Sequence, residues 1–159
     1  MNSNATSPSQ PGLAVSPVAY PLDEFYTQAG RVLPVIEAIE DRAVPEPYQS
    51  LLVHTNDMTP TLESFHGRQL HLRVLHRQLR EDFYFREVVL VLDETEVAVE
   101  FGAIKINLSL FPPPARREIL EEREPLGHIL AHHKVAHACR PKAFLRIQDR
   151  KSTRLNSSH

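Results

Sequence analysis

The sequence is poor in the residues on which several classes of protein depend. It has one cysteine, Cys139, so no internal disulfide and no multi-cysteine zinc centre can form. It has only five glycines and no glycine-rich phosphate loop, which argues against a nucleotide-binding fold. No apolar run approaches the roughly 20 residues that a transmembrane helix needs. These shortages exclude disulfide scaffolds and membrane spans at the outset.

Neither sign of charge dominates the chain. Lysine and arginine number 18, aspartate and glutamate number 20, and the pI is about 6.5. This balance gives no electrostatic reason to expect nucleic acid or a membrane surface as a partner. The N-terminus lacks the basic start and apolar run of a secretory signal, and a single cysteine fits a reducing compartment. We therefore expect a cytoplasmic protein, and the oligomeric state stays open.

The two ends of the chain differ in character from its middle. Residues 1–22, rich in serine, asparagine and proline, predict a disordered leader. The last eleven residues, DRKSTRLNSSH, match one reading frame of a very common sequencing-library adapter at every position. We therefore expect residues 149–159 to be an adapter-derived artefact. Residues 23–148 are then expected to form one domain that is truncated at its C-terminus.

Periodicity predicts helices, then an antiparallel meander, then helices and a last strand. This order favours an α+β fold with an antiparallel β-sheet. Gly67 and Pro125 are natural breaks in the helical segments, and short polar links separate the strands. The predicted helices cover 23–41 (one or two short helices), 47–54, 55–67 and 115–133, and the predicted strands cover 70–75, 83–92, 96–110 and 143–148.

Arg86 is the position that carries most information about function. In the strand FYFREVVLVL, Arg86 lies on the same face as Tyr84 and Val88, and Glu87 lies on the other. A strand this apolar is expected to be covered on both faces, and a buried guanidinium needs an anion. A carboxylate from a side chain or a bound acid fits it best. The alternatives are an ion pair with Glu100 or a carboxylate near Glu87, or exposure at a sheet edge.

The histidines suggest a metal site, but the pattern is weak. His128 and His132 are four residues apart on a predicted helix, a spacing that can chelate a divalent ion, and His133 and His137 follow. The glutamate that follows the first histidine in zinc-protease helices is replaced here by Ile129. A polar helix end near its C-terminal dipole explains the histidines more simply. No nucleophile elbow such as G-x-S-x-G is present. We expect no metal and no cofactor.

Three segments, taken in order, resemble the chorismate pyruvate-lyase family. They are NDMTPTLESFHG (Asn56–Gly67), FYFREVVLVL, and EFGAIKINLSLFP followed by EPLGHIL (Glu124–Leu130). The resemblance covers roughly 51–147. It implies an α+β fold in which an antiparallel sheet and helices close a buried ligand pocket. It also implies a lyase that needs no cofactor and eliminates pyruvate from chorismate to leave a hydroxybenzoate.

The resemblance also implies roles for individual residues. Arg86 would be the catalytic residue and would bind a carboxylate of the small dianionic substrate. Met58 would line the pocket, and the backbone at Leu126 and Gly127 would offer a second donor. The expected partner is therefore a small molecule, chorismate or an aromatic acid.

Two departures from the family leave substrate and product open. The acid that contacts the ring hydroxyl in the family falls after the point where this chain departs from the pattern. Gly102 stands where some members have a second arginine, and Lys105 is the candidate to replace it. Effector-sensing domains of transcription regulators share this fold and bind ligands without reacting them. The alternative is therefore a non-catalytic domain that binds small aromatic acids.

Overall fold

Two antiparallel sheets and several short helices make up residues 18–148, the part of the chain that the computed structural model describes. The mixed α+β class with antiparallel sheets agrees with the sequence prediction. Residues 1–17 of the expected leader and all of 149–159 lie outside the described residues. In chain order the elements are α1 (Leu22–Gln28), β1 (Ile36–Ile39), α2 (Tyr48–Leu52), α3 (Met58–His66), β2 (Leu70–Arg80), β3 (Phe83–Leu92), β4 (Ala98–Asn107), α4 (Pro113–Glu121), α5 (Leu126–His132) and β5 (Phe144–Ile147).

The larger sheet is a three-stranded meander in the order β2-β3-β4. Short polar links join its strands, and Glu81 adopts a positive φ of 54° in the link between β2 and β3. The apolar strand β3 is central and is buried along most of its length. In this register Arg86 lies opposite Arg77 on β2 and Ile104 on β4. The side chains of these three residues therefore point to the same face of the sheet.

Helices α3, α4 and α5 cover one face of the meander, which we call the helical face. On β3 it consists of Tyr84, Arg86, Val88, Leu90 and Leu92. Two apolar clusters fill it. The first contains Tyr84, Ile106, Leu108, Ala115, Ile119 and Ile129. The second contains Leu62, Leu70, Leu72, Leu90 and Leu92, with Val88 and Met58 packed against it. Arg86 lies on β3 between Tyr84 of the first cluster and Val88 at the second.

The opposite face is covered in part by α1 and the residues just before it. Phe25 is buried and stacks on His76, and the ring of Tyr20 meets Phe85 edge-on. His76 also contacts the Glu87 carboxylate at 2.9 Å. Within the part of the expected leader that the structure describes, Tyr20 therefore contacts the sheet and Leu22 begins α1.

The second sheet pairs β1 with β5, so that Ile36 lies opposite Ile147. The prediction of a strand at 143–148 is confirmed. The prediction of helix over 23–41 is right for α1 and wrong for Ile36–Ile39, which is a strand. Pro34 interrupts the helical periodicity, and the isoleucines find a strand partner distant in sequence. Within residues 18–148 no helix is long and apolar enough to cross a membrane.

Helix ends follow the local chemistry that the sequence indicated. Gly67 ends α3 in the left-handed region at φ 67°, where a residue without Cβ is unstrained. Pro113 begins α4, where a missing N–H does no harm. Glu122 ends α4 at φ 58°, and Pro125 precedes α5, which separates the two helices as predicted. The last predicted strand of the meander is shorter than expected, since Leu108–Leu110 form a 3₁₀ turn.

Candidate functional site

Arg86 is buried, with 2% of its surface exposed. Its Nη1 donates to the carbonyl oxygen of Ile119 at 3.4 Å, and its guanidinium carbon lies 5.7 Å from the centre of the Tyr84 ring. Its Nε is buried without a hydrogen-bond partner. Burial lowers the pKa of the guanidinium, although Tyr84 and Glu122 act in the opposite direction. The interior therefore holds a cation that has one weak hydrogen bond and a spare donor.

The alternatives for Arg86 raised by its sequence are wrong. Its low exposure rules out an edge position, and none of the ion pairs found among residues 18–148 involves its guanidinium. Glu87 lies on the opposite face and pairs with His76. Glu100 makes no ion pair with Arg86 in the described chain either. The Glu122 carboxylate acts on Arg86 from a distance, but no carboxylate among the described residues forms an ion pair with it, which is unusual for a buried charge.

Glu100 and Gly102 share the helical face with Arg86, although the sequence had suggested Glu100 only as an ion-pair partner of Arg86 and Gly102 only as the position of a missing arginine. On β4, Ile104 is opposite Arg86, Gly102 is opposite Val88 and Glu100 is opposite Leu90. A Cβ added at Gly102 would meet no atom within 4 Å, so this part of the face has room. At about 3.3 Å per residue, Glu100 lies roughly 13 Å along the strand from Ile104.

Glu100 is a second buried group without a partner. Its Oε2 is inaccessible and unpartnered, and burial raises the pKa of its carboxyl. A raised pKa favours the neutral acid, which can donate a hydrogen bond. A signal for it existed in the sequence, because Glu100 is the one charged residue among Glu100, Gly102, Ile104 and Ile106, which alternate along one face of β4.

A chain of polar contacts runs along one side of Arg86. Tyr84 donates its hydroxyl hydrogen to Glu122, and the same carboxylate pairs with Nε of Arg77 at 2.7 Å. Burial raises the pKa of Tyr84 to about 12, with a further contribution from Glu122. The phenol is therefore neutral near pH 7. The Tyr84 ring therefore packs beside Arg86 as a neutral group and does not act as its counter-ion.

Met58, Leu126 and Gly127 lie on the helical side of the sheet with Arg86. Met58 begins α3 and packs against the second cluster, and Leu126 begins α5 and packs against the first. At Gly127 the two helices touch, because a Cβ there would lie 2.5 Å from Oγ1 of Thr59. The one hydrogen bond given by the Arg86 guanidinium goes to Ile119, so none of these three residues bonds to it.

Lys105 does not take the place of the second arginine. It lies opposite Phe85, on the face away from Arg86, and its ammonium sits 4.4 Å from the centre of the Phe83 ring. There its ammonium forms cation–π contacts with aromatic rings. Gly102 therefore leaves the helical face with one arginine on β3 and no second cation on β4.

The histidine pair at four-residue spacing is not brought together by the fold. His128 contacts the Glu63 carboxylate at 2.8 Å, which ties α5 to α3. His132 and His133 lie instead beside Glu118 of α4. His137 pairs with Asp57 at 2.7 Å.

A cleft of about 920 Å³ lies between the start of α3 and the segment after α5. His137, Cys139 and Asp57 all line it, a combination that suggests a thiol nucleophile with a base. However, the Nδ1 of His137 contacts the carbonyl of Val135 at 2.8 Å, and its Nε2 contacts Asp57. Both ring nitrogens are engaged, so none is free to take a proton from the thiol.

The chain matches no protein-family model, no curated protein and no solved structure.

Proposed function

We propose that this domain binds a small cyclic carboxylic acid through Arg86 and, as the sequence resemblance implies, eliminates pyruvate from chorismate. The observation that carries the proposal is the Arg86 guanidinium, which is buried and has an unpartnered Nε. Burying a charge without a protein anion is costly, and folds retain such a charge where a ligand supplies the partner.

The arrangement of donors on Arg86 favours a carboxylate. Nη1 donates a long hydrogen bond to the carbonyl of Ile119, and Nε has no partner. Nε and Nη2 form the side edge of the fork, and this edge accepts a carboxylate through two parallel hydrogen bonds. In a site closed to water such a pair is stronger than in solvent, so it can hold a small acid in one orientation.

Glu100 would contact the far end of the ligand. Burial raises the pKa of its carboxyl and so favours the protonated form, which can donate to a hydroxyl or to a second carboxylate. Gly102 lies between Glu100 and Arg86 along the face, and since a Cβ there would meet no atom within 4 Å, no side chain at this position obstructs a ligand. Loss of pyruvate from chorismate makes the ring aromatic, so much of the catalysis can come from binding and orientation.

The test is release of pyruvate from chorismate by the chain and by its Arg86→Met variant. We expect the variant to lose at least about 100-fold in kcat/KM, since it lacks the carboxylate partner. Arg73→Met is the matched control, because Arg73 lies on the neighbouring strand in an exposed pair with Glu96. Turnover by Arg86→Met equal to that of the control would overturn the assignment.

A second candidate is a binding domain without catalysis. It is favoured by the groups next to Arg86, a tyrosine with a pKa of about 12 and a backbone carbonyl, neither of which transfers protons near neutrality. Calorimetric binding of a hydroxybenzoate that is lost in Arg86→Met, with no consumption of chorismate, supports this candidate. Turnover of chorismate excludes it.

A further inference from the structure

We propose that Glu118, His132 and His133 form a binding site for a divalent transition-metal ion, with Zn²⁺ the best match. One carboxylate oxygen and one ring nitrogen from each histidine lie within 4.8 Å of one another. The site joins α4 to the C-terminal end of α5. It is separate from Arg86 and does not depend on the function proposed for that residue.

Each histidine nitrogen lies close to an oxygen of the Glu118 carboxylate. Nε2 of His133 lies 3.1 Å from one Glu118 oxygen, and Nδ1 of His132 lies 3.5 Å from the other. Two ligands that each sit about 2.0–2.1 Å from a tetrahedral zinc ion are roughly 3.3 Å apart. Small side-chain rotations are enough to complete the geometry.

The contact between His133 and Glu118 is not a satisfactory hydrogen bond. Their facing atoms, His133 Nε2 and Glu118 Oε2, are both buried, and neither has a hydrogen-bond partner in the described structure, although only 3.1 Å separates them. The two atoms are therefore close enough for a hydrogen bond but not oriented for one. Two ligand atoms that both point toward one metal ion lie close together in this way without forming a hydrogen bond to each other.

The surroundings favour entry of a cation. The His132 side chain is 68% exposed and borders a cavity of about 270 Å³. Glu118, Glu121 and Glu124 also line this cavity, against one cation, Arg123. The field at its mouth is therefore negative. Two imidazoles and one carboxylate select zinc or a similar transition metal over Mg²⁺ and Ca²⁺, which prefer oxygen ligands.

The experiment is calorimetric titration of the untagged full chain with Zn²⁺, and with Mg²⁺ for comparison. We expect one equivalent of Zn²⁺ with a Kd in the micromolar range or tighter, no heat from Mg²⁺, and a higher Tm with Zn²⁺ present. Glu118→Gln and His133→Asn are expected to weaken Zn²⁺ binding at least about tenfold.

His128→Asn is the matched control, because His128 is on the same helix but pairs with Glu63. We expect this variant to bind Zn²⁺ as the unaltered chain does. Weakening by His128→Asn with no effect of His133→Asn would contradict the site in favour of the four-residue pair His128 and His132. Absence of Zn²⁺ binding and of any Tm shift in the unaltered chain would overturn the proposal without any variant.

Discussion

Replacing Arg86 by methionine is expected to stabilise the fold while it removes the proposed ligand site. Methionine is shorter than arginine but similar in volume and uncharged, so it fills most of the space beside Tyr84 without a buried cation. Exchanges of buried charged groups for apolar residues of similar volume are neutral or stabilising by about 1–4 kcal/mol. A buried donor without a partner, such as Arg86 Nε, contributes a penalty of about 1–3 kcal/mol that the exchange relieves.

Two losses oppose this gain. The hydrogen bond from Nη1 to Ile119 is long, at 3.4 Å, and is worth less than the typical value of about 1 kcal/mol. At 5.7 Å the Tyr84 ring lies near the outer limit of about 6 Å for a cation–π contact, so its contribution is about 0.5–1 kcal/mol and not the roughly 2 kcal/mol of a close buried pair. When these losses are set against the relief of the buried charge and its spare donor, the net expectation is a rise in unfolding free energy of about 1–2 kcal/mol. For a chain of this size that corresponds to an increase in Tm of roughly 2–8 °C.

The measurement is urea unfolding followed by circular dichroism, with Tm from calorimetry. Arg73→Met serves as the control and is expected to change stability by less than about 0.5 kcal/mol, because its ion pair is exposed. A loss of more than about 1 kcal/mol in Arg86→Met would refute the reasoning. It would mean that the guanidinium holds α4 on the sheet and is not kept for a ligand.

Two further predictions concern residues around Arg86. Gly127→Ala is expected to lower the unfolding free energy by about 1–3 kcal/mol, because the new Cβ would lie 2.6 Å from Cβ of Thr59 and no side-chain rotation relieves that clash. Gly102→Ala, whose Cβ would meet no atom within 4 Å, is expected to leave stability unchanged or raise it by up to about 1 kcal/mol. Equal effects of the two variants in urea unfolding would contradict this. Glu100→Gln is expected to be more stable than the unaltered chain at pH 7. Burial raises the pKa of the Glu100 carboxyl in the folded state, so the carboxyl binds more protons when folded than when unfolded. Its destabilising effect therefore develops as pH rises from about 4.3, the unfolded value, through the folded pKa. Urea midpoints from about pH 4 to pH 8 check this, and a stability difference that does not vary with pH contradicts it.

Much of the fold could be predicted from the sequence because its signals are local. The alternation along Phe83–Leu92, the glycine that ends α3 and the proline that precedes α5 all act within a few residues. The strand Ile36–Ile39 could not be predicted, because four residues carry little periodicity and its partner lies at the other end of the described chain.

The candidate site divides in the same way. Arg86 could be found from the sequence, since one charge in an apolar strand is visible without any partner. The placement of Glu100 on the same face depends on the register of β3 with β4, and a shift of one residue would have moved it to the other face. Glu118 lies beside His132 and His133 only because α4 packs against α5. No spacing rule connects Glu118 to them.

The pairing of β1 with β5 has a consequence for biosynthesis. Arg146 donates to Glu37 at 2.6 Å across 109 positions of sequence. At about 5–20 residues per second, the ribosome completes β5 roughly 5–20 seconds after β1. In the meantime β2, β3 and β4 can pair through their short links, but the backbone N–H and C=O groups of β1 have no strand to pair with until β5 is made. During that interval β1 is open to chaperones and to the β5 of a neighbouring chain on the same polysome, so the order of translation decides whether the two strands meet within one molecule.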